Sequence, residues 1–190
     1  HKDSLGKIYS ITSKLDQYEP EEVLFYAAQI LEQLMDSKDI AIYSVANGDY
    51  ARLFSFTSET AKKMGNSIHY SVMDEMYNEL KEDRIFINRN MNPEYPLMAN
   101  AIYSENEMQI ILMVWGIPWE RMNLAEANRL RVIGYLIQNA VVRANRYLDA
   151  LREDRYMEGT DILKEDAFTH LVTAFSNAKR DGLAECTLIK

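Results

Sequence analysis

The chain has 190 residues and a formal net charge of −8, from 21 Lys and Arg against 29 Asp and Glu, which excludes the basic, phosphate-neutralising surface of a nucleic-acid-binding domain. Hydrophobic residues are 47% and charged residues 26%, ordinary values for one soluble globular domain. A single cysteine, Cys186, excludes an intramolecular disulfide and a Cys-based zinc cluster, and fits a reducing cytoplasm.

Leu5, Ile8, Thr12 and Leu15 recur at helical spacing and predict a short amphipathic helix within residues 1–18. Pro20 is expected to open a second helix, with Glu21 and Glu22 at the positive end of its dipole. Its apolar stripe is Val23, Ala27, Ile30, Leu31 and Leu34. The period then changes to that of strands: "DIAIYSVANGDYARLFSFTS" has two β-rich runs joined by Asn47, Gly48 and Asp49, a tight-hairpin signal.

"SETAKKMG" predicts one or two helical turns closed by Gly65, and "SVMDEMYNELKEDR" a helix with Ser71 as candidate N-cap. "RIFINR" is a short strand, and "NMNPEYP" a loop. "LMANAIYSENEMQIILMVWGI" is a hairpin turning at residues 104–107. Residues 110–117 form an uncharged apolar run of eight, far below the ~20 needed to span a bilayer. A strand apolar on both faces belongs in the middle of a sheet.

A long helix runs from Leu124, capped by Asn123, to about residue 157. Along it Leu130, Ile133, Ile137, Ala140, Ala144, Tyr147 and Leu151 alternate spacings of three and four, the pattern of a coiled-coil seam. The second half of this helix is expected to outlast the sheet and pair with another helix. After "MEGTD" come a helix ended by Gly182 and a strand, "LAECTLIK". The fold class is α/β (α+β): an antiparallel sheet with helices packed on it.

This order of elements resembles a GAF domain over residues 19–157, most clearly in the hairpin, loop and long helix from "YPLMANAIYSENEMQIILMVWGI" onward. The nearest fold alternative is a PAS domain. Residues 158–190 resemble the opening of a GGDEF-type domain, cut short after its first helix and strand. Lys164, Glu165 and Asp166 replace the Asn-Arg of active cyclases, so the resemblance is to a degenerate member. A GAF domain followed by a degenerate GGDEF domain is the arrangement of PelD-type regulators of exopolysaccharide synthesis, in which the second domain binds cyclic di-GMP. The residues that bind it in that family would follow Lys190, and the chain reads as a piece of a longer protein.

No catalytic set emerges from spacing. Arg146 and Asp149 match the Arg-x-x-Asp pattern of cyclic di-GMP sites, but on a helix they are ordinary surface neighbours. His1, His69 and His170 fall in different elements, so no metal site is expected. The Asn-Lys-Phe-Asp-Glu signature of cyclic-nucleotide-binding GAF domains is absent. A GAF-fold methionine sulfoxide reductase would need reactive cysteines in the sheet region, where this chain has none.

The resemblance implies a ligand pocket on one face of the sheet. Tyr43, Phe54, Tyr95, Tyr103 and Trp115 fall on strands or the loop before the last hairpin, and His69, Tyr70, Asn88, Arg89, Asn100 and Trp115 are the candidate lining. The competing reading is that these residues fill core and rim. Two functions follow. One is a non-catalytic, cytoplasmic signalling module that forms a homodimer through its terminal helices, free-standing or as the soluble part of a membrane-anchored protein. The other is a GAF domain that binds a small molecule and controls a different output. No cofactor, no nucleic-acid partner and no membrane contact within these residues are expected.

Overall fold

The computed structural model describes residues 2–19, 22–46 and 49–189. Pro20 and Glu21 of the expected second helix, and Asn47 and Gly48 of the first hairpin turn, lie outside the described residues. The helices are α1 (Lys2–Thr12), α2 (Val23–Met35), α3 (Asp74–Asp83), α4 (Leu124–Ala150), α5 (Arg152–Arg155) and α6 (Glu165–Arg180). The strands are β1 (Ile40–Ala46), β2 (Tyr50–Phe56), β3 (Ser67–His69), β4 (Ile85–Ile87), β5 (Met98–Ser104) and β6 (Glu107–Val114).

The six strands form one antiparallel sheet in the order β3-β2-β1-β6-β5-β4. The apolar run of the sequence therefore lies in its centre, with β6 bonded to β1 on one side and β5 on the other. Ile110, Leu112 and Val114 point into a core shared with α1, α2 and α4. Ile111 and Met113 point into a second core under α3 and its preceding turn. The β5–β6 turn is where the sequence places it: Glu105 (φ 53°) and Asn106 (φ 66°) both adopt the left-handed conformation of a two-residue hairpin turn.

α2 buries every residue of its expected stripe, and Asn123 caps α4 by accepting a hydrogen bond from the backbone N–H of Glu126 (3.1 Å). Arg121, in the turn before α4, joins the two helices. Its guanidinium donates to the Met35 carbonyl (3.0 Å) at the end of α2 and to the nearly buried carboxylate of Glu126 (2.9 Å). Further along, Gly134 lets α4 lie directly on the sheet. A Cβ there would stand 2.0 Å from Oδ1 of Asn100, whose Nδ2 donates to the Arg84 carbonyl (2.9 Å).

The coiled-coil seam requires correction. Leu130, Ile133 and Ile137 have no exposed surface within the single chain; they pack on the sheet and α2, so they offer a partner nothing. Ala140 and Ala144 are also buried in this core, which includes Ile8 and Ile11 of the chain's own α1. The expected helix–helix pairing of the second half is thus intramolecular. Only Tyr147 is exposed, and Leu151 is half-buried at a break between α4 and α5.

Three local expectations also change. Ser71 does not cap α3; it sits in a 3₁₀ turn, Tyr70–Val72, which His69 caps by accepting from the Ser71 N–H (3.2 Å). The long helix stops at Ala150 rather than near residue 157. "LAECTLIK" follows α6 after Gly182 (φ 70°), but its described residues, 183–189, form no strand: among them one backbone bond to the sheet is made, from Phe56 N–H to the Leu183 carbonyl (2.7 Å). A β-rich run without a partner strand stays irregular. The segment is instead seated by Leu183 and Ala184, which with Ala178 of α6 cover Phe25 of α2.

Gly134→Ala should destabilise the chain by ~1–3 kcal/mol, because Asn100 can yield only by giving up its bond to Arg84, and urea unfolding measures the loss. Ile137→Asp should cost about 4 kcal/mol or more, read in the same way, since it buries an unpaired charge inside one chain.

Candidate functional site

The six candidate pocket residues do not converge. Along β1, Ile40 is opposite Val114 while Ala46 is opposite Tyr50, which is opposite His69. His69 and Tyr70 therefore lie at one end of the sheet and Trp115 at the other, separated by about 20 Å along the strand direction alone at ~3.3 Å per residue. Asn100 is on the opposite face altogether, against α4. Asn88 folds the loop after β4: its Nδ2 donates to the carbonyls of Asn92 (2.8 Å) and Tyr95 (3.3 Å), and its Oδ1 accepts from Asn92 N–H (2.9 Å). That uses both amide donors and leaves little for a ligand. Arg89 is exposed and pairs loosely with Glu79 (3.8 Å).

The face beneath α3 is occupied by the protein's own side chains. Tyr43, Met73, Met76, Leu80, Phe86 and Met113 pack there with at most 1% of their surface exposed. Tyr43 donates to the Gly65 carbonyl (2.7 Å). Tyr70 stacks on Tyr77 at 4.0 Å, and the ring of Tyr95 meets Phe86 edge-on. Trp115 is half-buried against the same cluster. Among the described residues, the Tyr70 hydroxyl and the Trp115 indole N–H are buried without a hydrogen-bond partner. Burial pushes the Tyr70 phenol up to about 12, reinforced by Tyr77 and Asp49, and pushes that of Tyr43 still higher.

No group of three or more His, Cys, Asp or Glu among the described residues is arranged to hold a metal ion. No helix among them is long and apolar enough to cross a membrane. Cys186 is in the segment after α6, where its Sγ approaches the Phe175 carbonyl at 3.7 Å, off the sheet.

An open groove of about 560 Å³ lies on the other face of the sheet, between the β5–β6 hairpin and the second half of α4. Its walls include Glu105, Gln109, Gln138, Asn145, Asp149 and Arg152. None of these is among the candidate lining residues of the sequence, and Asp149 enters there only in an Arg-x-x-Asp pattern set aside as a surface pair. The readable signal was the row Gln138, Val142, Asn145, Asp149, Arg152, which alternates spacings of four and three and so lies along one helix face. Asp149 does line the groove, whereas its motif partner Arg146 is simply exposed.

No family model matches the sequence, and no curated protein does. Solved structures match the fold. A GAF domain from an Acinetobacter phosphoenolpyruvate-protein phosphotransferase superposes with a TM-score of 0.58 at 10% identity, covering 77% of this chain and 97% of that one. The chain has the GAF fold. The phycoerythrobilin-bound GAF domain of a cyanobacterial phytochrome aligns with a TM-score of 0.57 at 11% identity, covering 77% and 97%. The free methionine-R-sulfoxide reductase of Neisseria meningitidis, solved with its substrate, aligns with a TM-score of 0.58 at 11% identity, covering 74% and 89%. Such identities establish the GAF fold and nothing about activity.

The raised tyrosines give a pH prediction. Their pKa values are higher folded than unfolded, so their contribution is complete below the ordinary tyrosine value of ~10 and is lost as pH rises toward about 12. Urea midpoints should fall over that window. Tyr70→Phe should be near neutral at pH 7, since it deletes an unpartnered hydroxyl, and should flatten the alkaline fall.

Proposed function

We propose that this GAF-fold chain is a non-catalytic, cytoplasmic regulatory module whose output travels through its helices. The observation that carries this reading is the sheet face under α3, closed by the chain's own Tyr, Met and Phe side chains rather than by a catalytic constellation. What is left to communicate is the helical layer. α4 packs on β5, β4 and α2, and its outward side leaves Val132, Tyr135 and Tyr147 exposed, with Tyr9 of α1 exposed in the same layer. A homodimer through the terminal helices would use these side chains, in place of the buried seam.

The finer reading is a PelD-type regulator of exopolysaccharide synthesis, with residues 158–190 opening a degenerate GGDEF-type domain. The sequence resemblance supports it, and so does a helix, α6, where that domain's first helix is expected. The irregular course of residues 183–189 gives no support to the expected first strand. The second reading, a GAF domain that binds a small molecule and controls a different output, is favoured by the groove beside α4.

Multi-angle light scattering tests the regulatory reading. A dimer should form at micromolar concentration, and Tyr135→Glu should shift it to monomer while leaving the thermal midpoint within about 2 °C, because Tyr135 is half exposed. A monomer at all concentrations would count against it. Calorimetric titration of the natural full-length protein with cyclic di-GMP tests the PelD-type reading, which no binding would remove.

A further inference from the structure

The usual ligand face of this GAF fold is filled, yet the face beneath α4 holds an open groove whose volume falls within the ~300–1,000 Å³ of small-molecule sites. Its floor is apolar, from Ile102, Ile110, Val141 and Leu148. Its walls are not. The side-chain amides of Gln109 and Asn145 make no hydrogen bond to the other described residues, and Gln138 uses only its carbonyl, accepting from the Tyr103 N–H at 3.4 Å. The amides of Gln109 and Asn145 and the amide donors of Gln138 thus surround an apolar floor with no partner among the described residues.

The charges come from two different parts of the fold. Glu105 and Glu107 are on the β5–β6 hairpin and Asp149 is in the last turn of α4, none in an ion pair among the described residues. Arg152 follows the break at Leu151. It pairs with Asp161, but both side chains are mostly exposed, so that pair is weak and leaves most of the five guanidinium donors available. A site with carboxylates, unsatisfied amides, an apolar floor and a guanidinium complements one chemical class well: a small zwitterion with an ammonium, a carboxylate and an apolar side group.

We infer that this groove binds an amino-acid- or dipeptide-sized zwitterion, its ammonium toward Glu105 and Asp149 and its carboxylate toward Arg152. The inference builds on the regulatory reading and supplies its input. The carboxylates belong to the β5–β6 hairpin and to α4, whereas Arg152 belongs to the segment after the break. A ligand spanning both draws α5 toward the sheet and sets the direction in which the chain leaves α4.

The test is a thermal-shift screen of the chain with free amino acids and unblocked dipeptides, at about 10 mM ligand and ~150 mM NaCl, followed by calorimetry of the best probe. At least one probe should raise the midpoint by about 2 °C or more, and its N-acetylated and C-amidated forms should not. Asp149→Asn, at an exposed position, and Asn145→Leu should each weaken binding roughly tenfold, while Trp115→Phe on the opposite face leaves it unchanged. Bound probe should also slow amide hydrogen exchange in residues 151–156. Failure of every probe would overturn the inference, as would equal binding of the blocked forms, or binding lost in Trp115→Phe but kept in Asp149→Asn. The light-scattering result is independent of all of these, so the regulatory reading stands or falls separately.

Discussion

Ile110 to Val114 of β6 are all buried, alternately on the two faces of the sheet, so two separate layers must cover this one strand. Each layer then does something different. On one side α2 and α4 lie across the strands, close enough that Gly134 touches Asn100. On the other side, methionines and tyrosines of α3, of the turn before it and of the strands meet directly. Burying five large side chains this way, at ~25 cal/mol per Å² of apolar surface, stabilises the centre of the sheet from both faces.

Much of this was legible in the sequence because the hydrophobic period changes there. The central position of β6, the β5–β6 turn, the cap at Asn123 and the stops at Gly65 and Gly182 all follow from local chemistry that tertiary contacts do not overrule. The seam on α4 was misread for a physical reason. Spacings of three and four describe any helix stripe buried along one side, and nothing in Leu130, Ile133 or Ile137 says whether the covering surface is the chain's own sheet or a second molecule.

The candidate site was less legible. A pocket on one face needs residues that share a face and an end of the sheet, but the two ends of its strands are far apart, and a period of two sends Asn100 to the opposite face from its neighbours Ala99 and Ala101. Asn88 looked like a ligand contact and is the clamp of its own loop, because a buried amide is satisfied by whichever backbone groups lie nearest. The groove residues went unnoticed for the converse reason. Gln138, Asn145 and Asp149 read as the solvated side of a helix until the hairpin is seen opposite them.

The Arg121 junction makes α4 an asymmetric lever. Over its first half the helix is held by the Asn123 cap, the Arg121–Glu126 pair and the close approach of Gly134 to Asn100. From Gly134 to Ala150 it extends about 24 Å at 1.5 Å per residue, along the groove it shares with the β5–β6 hairpin. A tilt of about 5° around that fulcrum carries the far end roughly 2 Å, enough to exchange side-chain neighbours, while the fulcrum itself barely moves.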